Sequence, residues 1–175
     1  MIAMIRGIIK SISEGKIKKV SASGRSDETF DDREYFQHYG FTSRPLKDGE
    51  LILIREGNHI VAIASDDRRY RIAVEDGEVA LYTDEGDKIH FKRGKEIEII
   101  CGNKLTATVE NDVEITTKRA KLTATEKCEI ISPDIKLTSD STVEISGDSK
   151  VTINSDTKVE VNCDDVVING SKVEL

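Results

Sequence analysis

From about Ile89 to Leu175 the chain repeats one short phrase: two apolar residues separated by a single residue, usually polar, then a polar gap. The phrases are Ile89/Phe91, Ile97/Ile99, Leu105/Ala107, Val113/Ile115, Ala120/Leu122, Cys128/Ile130, Ile135/Leu137, Val143/Ile145, Val151/Ile153, Val159/Val161, Val166/Ile168 and Val173/Leu175, at steps of seven or eight residues. Alternation within a phrase is that of a half-buried strand. The gaps hold Asn, Asp, Ser, Thr, Gly or Lys, the clearest turns being Asn111-Asp112, Ser139-Asp140-Ser141, Gly147-Asp148, Asn154-Ser155-Asp156 and Asn169-Gly170. A step of seven would flip a continuous strand onto its other face, so each gap must reset the parity and the phrases are separate strands. A period this short, held over half a chain, describes stacked strands in a fibre rather than a domain folded round one pocket.

Upstream the pattern changes. Residues 2–22 alternate apolar and polar with Gly7 and Gly15 as breaks, which predicts two short strands joined by a turn. Residues 21–32 are polar, charged and aperiodic, and read as a mobile loop. Residues 35–45 are rich in aromatics, with Gly40 and Pro45 as breakers, and 50–55 and 58–65 are strong strand signals joined by Glu56-Gly57-Asn58, where Gly57 can take a positive φ. About five short strands in the first 75 residues predict a small barrel of the oligonucleotide/oligosaccharide-binding (OB-like) type. Residues 77–94 bridge the halves. Their Asp84-Glu85-Gly86-Asp87 is a turn, because the ligand series of a twelve-residue calcium loop is absent.

Two inward side chains per strand make no core alone, and three faces closing a triangular prism are the economical arrangement. One chain could supply all three faces at roughly 24 residues per turn, giving a stub about 15–20 Å tall. Alternatively three chains could intertwine, each phrase advancing about 4.8 Å, giving a needle of roughly 55–60 Å. The period accommodates both. No clear longer repeat of that kind is present, and association of three open strand series would bury edges that so polar a segment otherwise leaves bare. The expected fold is therefore all-β: an OB-like barrel in 1–75, a connecting β segment in 76–94, and an intertwined triple-stranded β-helix of a homotrimer in 95–175. Its core would hold Ile97, Ile99, Leu105, Val113, Ile115, Leu122, Ile130, Ile135, Leu137, Val143, Ile145, Val151, Ile153, Val159 and Val161. Val166, Ile168, Val173 and Leu175 would close the tip about the threefold axis.

Composition sharpens the division. All eight aromatics, Phe30 to Phe91, precede the body of the repeat, in keeping with an interior sized for Val, Ile and Leu. Residues 1–75 hold 13 Lys/Arg against 12 Asp/Glu, and 76–175 hold 13 against 21, so the net charge of −7 belongs to the repeat half. Such an acidic surface argues against gripping phosphate backbones, and no nucleic-acid partner is expected; Lys16, Lys18, Lys19 and Arg25 read as solvated turn and loop residues. No apolar run approaches a membrane span, and residues 1–12 carry Arg6 and Lys10 rather than a signal-peptide core. Cys101, Cys128 and Cys163 are too widely spaced for a zinc knuckle; Cys128 and Cys163 share the parity of their apolar neighbours and read as small reduced core residues. His90 has the outward parity of a surface histidine, and His59 beside Asn58 reads as a turn residue. No HExxH, GxSxG, P-loop or nucleotide fingerprint is present, and Glu114, Glu144 and Glu160 sit between inward residues and so face water. Neither catalysis nor a cofactor is expected.

Three strings carry a resemblance: Tyr39-Gly40-Phe41-Thr42-Ser43-Arg44-Pro45, Asp66-Asp67-Arg68-Arg69-Tyr70-Arg71, and GEVALYTDEGDKIHFKRG at 77–94. Together they resemble the Mu-type phage baseplate assembly protein V family, the central tail spike of contractile-tailed phages. The resemblance implies a homotrimer in the virion tail baseplate, assembled in the host cytoplasm. Its barrel, residues 1–75, would dock at the tail hub while the β-helix points at the host outer envelope, to be driven through it when the sheath contracts. Spikes of this wider group often carry a His-x-His pair near the tip that binds iron. Here the histidines are His38, His59 and His90, none in the terminal 85 residues, so no apical metal is expected. Two other classes compete: a receptor-binding tail fibre or adhesin, and a single-chain β-helix that polymerises as a scaffold.

Overall fold

A computed structural model describes residues 2–169. It divides into two units, Met1–Val113 and Glu114–Leu175. Among the described residues there are eight strands and no helix.

Five strands of the first unit close a barrel: β1 (Ile2–Ser13), β2 (Lys19–Ser23), β3 (Thr29–Tyr35), β4 (Glu50–Glu56) and β5 (His59–Asp66), in the order β1-β2-β3-β5-β4. Closure depends on β1, whose first half pairs with β4 (Ile5 opposite Leu53) and whose second half pairs with β2 (Ile12 opposite Val20). A register shift between Ile9 and Ser11 lets it serve both. The inward residues run Ile5, Ile9, Ile12, and the last step of three in place of two is the parity change that an extra residue brings. The loop before β4 covers this irregularity: Ile9 N–H donates to Gly49 O at 2.8 Å and Asp48 N–H to Ile9 O at 2.9 Å. Gly7 does not end a strand as expected but lies within β1. A Cβ there would stand 2.9 Å from Leu53 Cδ1 and 3.0 Å from Ser23 O, so the glycine serves close approach across the barrel.

The expected mobile loop at 21–32 is instead a β2–β3 hairpin, tied at Gly24 N to Glu28 O and Glu28 N to Arg25 O. Its charged residues had hidden the strand, because Asp31 and Asp32 are exposed while Phe30 and Tyr35 reach the core. That core is Ile5, Ile9, Ile12, Val20, Ala22, Phe30, Tyr35, Leu51, Leu53, Ile60 and Ala62. Tyr35 brings a polar atom to its edge and satisfies it with Ser65 Oγ at 2.6 Å. The β4–β5 turn is as expected, with Gly57 at φ 58°; His59, however, opens β5 opposite Glu56 rather than standing in the turn.

The same unit carries a three-stranded antiparallel meander, β6 (Val79–Tyr82), β7 (Lys88–Lys92) and β8 (Glu96–Ile100). Its first connection is the Asp84-Glu85-Gly86-Asp87 turn, with Gly86 at φ 92° and Thr83 N–H donating to Asp87 O at 3.0 Å.

The second unit is an extended chain bent at regular intervals. The bends begin at the end of the first unit, at 102–103 and 110–111, and continue through the second at 118, 125–126, 133, 140–141, 148–149, 156–157 and 163–164, which are the gaps of the repeat. Many hold themselves by side chain to backbone bonds two residues apart: Arg119 N to Thr117 Oγ1 at 3.3 Å, Asp134 N to Ser132 Oγ at 3.3 Å, Ser141 N to Ser139 Oγ at 3.3 Å. Cys163 takes the place of such a Ser, its Sγ donating to Asp165 O at 3.2 Å, which corrects its reading as a core residue. Between bends the backbone is extended, yet no strand ladder forms among the described residues of this unit.

Candidate functional site

The meander is inverted relative to an ordinary surface sheet. Register sets Val79 opposite Phe91, Leu81 opposite Ile89, Ile89 opposite Ile99 and Phe91 opposite Ile97, so one face is a grid of six large apolar side chains. All six are exposed, from Ile89 at 39% to Ile97 at 61%. The other face carries Ala80, Lys88, His90, Lys92 and Glu98, which are better covered, with Tyr82 and Ile100 exposed beside Lys88 at one end.

His90 accordingly corrects its expected surface placement. It has the parity anticipated, opposite to Ile89 and Phe91, but it is 6% exposed. Its Nε2 lies 2.9 Å from Glu78 Oε2, and the two side chains are equally hidden. Glu78 Oε1 accepts Arg93 N–H at 2.8 Å and Oε2 accepts Glu75 N–H at 3.2 Å. These backbone donors, Arg93 first, hold the Glu78 carboxyl below its usual range, with His90 adding to them. Glu98 is lowered as well, chiefly by Lys88, whose Nζ is 2.7 Å away. The polar face is thus an internally satisfied latch, and the apolar face is left without a cover. Sequence reasoning began the repeat at Ile89 and missed Val79 and Leu81; their alternation around Ala80 was the available signal.

The second unit shows the same imbalance more fully. The expected core residues from Ile115 to Val161 are all exposed, from Val151 at 48% to Ile115 at 79%, and Ile97, Ile99, Leu105 and Val113 in the first unit are exposed at 55% to 72%. Val166 and Ile168 are exposed at about the same level, and Val173 and Leu175 lie outside the described residues. Ordering an extended backbone costs roughly 1–2 kcal/mol per residue. Among the described residues of this unit no buried core or ladder offsets that cost.

A third feature is the loop between β3 and β4, which contains the Tyr39–Pro45 string. Lys18 pins it: Nζ donates to Gln37 Oε1 at 3.2 Å, Thr42 Oγ1 at 2.9 Å and Ser43 O at 2.6 Å, and pairs with Glu14 at 3.2 Å. Only 11% of the Lys18 side chain remains exposed, so it is a structural pin rather than the solvated residue expected. Gln37 Nε2 adds bonds to Ser43, and Arg44 donates to Ile12 O at 3.0 Å. The loop is held firmly while Phe36, Tyr39 and Phe41 point outward, Tyr39 wholly so. Beside it an open groove of about 920 Å³ is lined by Phe41, Leu46, Tyr70, Leu81, Tyr82 and Ile99 among others. Asp66 and Asp67 on its wall are already engaged by Arg71 and Arg69. Among the described residues no group of three or more His, Cys, Asp or Glu is placed to hold a metal ion.

No curated protein sequence is a significant match to the chain. Residues 6–69, which span β1 to β5 and the pinned loop, match the family model described as Bacteriophage Mu Gp45, N-terminal. At this level the similarity is of the barrel region, residues 6–69, to a Mu-type phage baseplate family.

Proposed function

We propose that this chain is the central spike of a contractile phage tail or a phage-tail-like particle. Three copies intertwine residues 95–175 into a triple-stranded β-helix that is driven through the host outer envelope when the sheath contracts. The barrel docks on hub proteins of the baseplate, and the role is mechanical rather than catalytic. The observation that carries this reading is the state of the repeat: evenly bent, extended, its apolar phrases exposed and its strand edges unpaired within one chain. Such a segment gains its core and its ladders from other copies, so folding and assembly are one event. A self-stacking single-chain β-helix is disfavoured because the described phrases do not lie on one another.

Sedimentation equilibrium tests the reading directly. The expected mass is three times 19.4 kDa in a particle with a slender needle by electron microscopy. A 19.4 kDa monomer or an open-ended polymer sinks it. Deleting residues 1–75 should leave a soluble trimeric needle that no longer joins the baseplate; a truncated needle that still joins refutes the docking role of the barrel.

A further inference from the structure

The apolar phrases explain why copies associate but not how they find their register. Most pairs are combinations of Val, Ile and Leu, and only Leu105/Ala107, Ala120/Leu122 and Cys128/Ile130 carry a small member, so a copy displaced by one phrase would still set apolar pair against apolar pair. The residue at the centre of each phrase differs in this respect. In order from Glu98 these centres are Glu98, Thr106, Glu114, Lys121, Glu129, Lys136, Glu144, Thr152 and Glu160. No adjacent phrases carry like charge, and the run Glu114, Lys121, Glu129, Lys136, Glu144 alternates strictly in sign. Strand alternation sets these centres opposite the apolar pair, and all five are exposed. The Lys127–Glu129 contact, Nζ to Oε1 at 2.6 Å, shows the side chain of one centre engaged on that polar side.

We infer that Glu114, Lys121, Glu129, Lys136 and Glu144 form a register-setting charge ladder between copies of this chain. The inference rests on the trimeric reading above. When three chains intertwine, each prism face receives a phrase from one copy and, one layer of about 4.8 Å further on, the next phrase of another copy. Glu114 of one copy then lies beside Lys121 of the next, that Lys121 beside Glu129 of the third, and so on through Glu144. Each contact is exposed and individually weak, but each occurs three times per layer step in the trimer. A slip of one phrase in either direction puts phrase n against phrase n or phrase n+2, which sets Glu on Glu and Lys on Lys throughout. The ladder therefore acts mainly against wrong registers, as charges flanking a coiled-coil seam do.

Alternation alone would also suit a chain stacked on itself every third phrase, with Lys121 beside Glu144, so the test must separate the two. Cys101→Ser, Cys128→Ala and Cys163→Ser provide a background without native thiols. In it, Glu114→Cys with Lys121→Cys places one thiol on each side of the proposed contact, within the Cα separation that a disulfide accepts. Oxidation is expected to give a covalent species of three times the chain mass on a denaturing, non-reducing gel. The companion pair Lys121→Cys with Glu144→Cys is expected to stay uncross-linked; efficient linkage within single chains by that pair, or no linkage by the first in a protein that sediments as a trimer, overturns the ladder. A monomeric unmodified chain overturns the trimeric reading itself.

Charge exchange supplies a second readout that does not depend on thiol chemistry. Lys121→Glu sets three carboxylates in successive layers and should lower the trimer melting temperature by on the order of 5 °C at low salt. The loss should shrink in about 1 M salt. Inverting all five signs together restores alternation and should recover most of the loss. Equal melting of all three proteins at low salt refutes the proposal.

Discussion

The barrel and the repeat draw on the same β-branched, aliphatic side chains, yet the barrel buries eleven residues within one chain and the described phrases of the second unit bury none. The difference lies in closure. In the barrel β1 pairs on both sides, through Ile2–Ile8 with β4 and through Ile8–Ser13 with β2, so the sheet ends where it began and no edge is left. In the repeat each extended segment ends after one exposed apolar pair, and among the described residues the next bend carries the chain on without its meeting itself. Hydrophobicity sets which residues seek burial; the spacing of the bends decides whether they find it at home or in another copy.

The largest effect expected from breaking this contrast follows from a charge placed inside the repeat. In the proposed trimer, Ile130→Asp would bring three carboxylates together near the needle axis, where an unpaired ion has no compensating partner. Complete loss of the trimer at micromolar concentration is expected by sedimentation, with hydrogen exchange across β1 to β5 unchanged. A trimer that survives the substitution would show that Ile130 does not face the axis.

The reverse experiment damages the barrel alone. Leu53 is fully buried against Ile5 and the close approach at Gly7, so Leu53→Ala leaves a cavity that the closed barrel cannot collapse. A loss of about 2–5 kcal/mol in barrel stability is expected from denaturant-dependent hydrogen exchange of β4 amides, with the trimer mass unaltered. Loss of the trimer as well would mean that the two regions are not independent.

Much of this contrast was legible in the amino-acid sequence because it rests on local periodicity. The bends at 110–111, 140–141, 148–149 and 156–157 fall in or beside gaps recognisable from Asn, Asp, Ser and Gly alone. The two strands at 50–65 were equally plain as apolar runs either side of Glu56-Gly57-Asn58, although which residues of each run face inward, Leu51, Leu53, Ile60 and Ala62, was not. What stayed hidden depends on long-range partners. The charged β3 reads as a loop until Phe30 and Tyr35 are seen to reach the core, and Lys18 reads as solvated until the aromatic loop returns 24 and 25 residues later to cover it. His90 is the sharpest case. Its parity is readable from Ile89 and Phe91, but which face of the meander is covered depends on Glu78, twelve residues away.

That latch gives the smallest expected effect and the finest test of the inverted meander. Glu78→Gln keeps one oxygen, which still accepts from one of Arg93 N–H and Glu75 N–H, and replaces the other by an NH2 that cannot accept, while leaving the apolar face untouched. Faster exchange of whichever of those two amides loses its acceptor, with unchanged barrel protection and oligomer mass, is the expected result. The pH dependence has a definite sign. Because the folded Glu78 carboxyl is held below its ordinary value, its contribution is complete above that ordinary value, near pH 4.5, and is lost as pH falls through the lower folded value. The native chain should therefore lose intrinsic-rate-corrected protection at Arg93 and Glu75 on acidification below about pH 4.5, whereas Glu78→Gln should lack this local, Glu78-dependent step. Equal pH profiles for the two proteins would mean that Glu78 does not hold the latch, and the cover of the polar face would then have to come from somewhere other than residues 75–78.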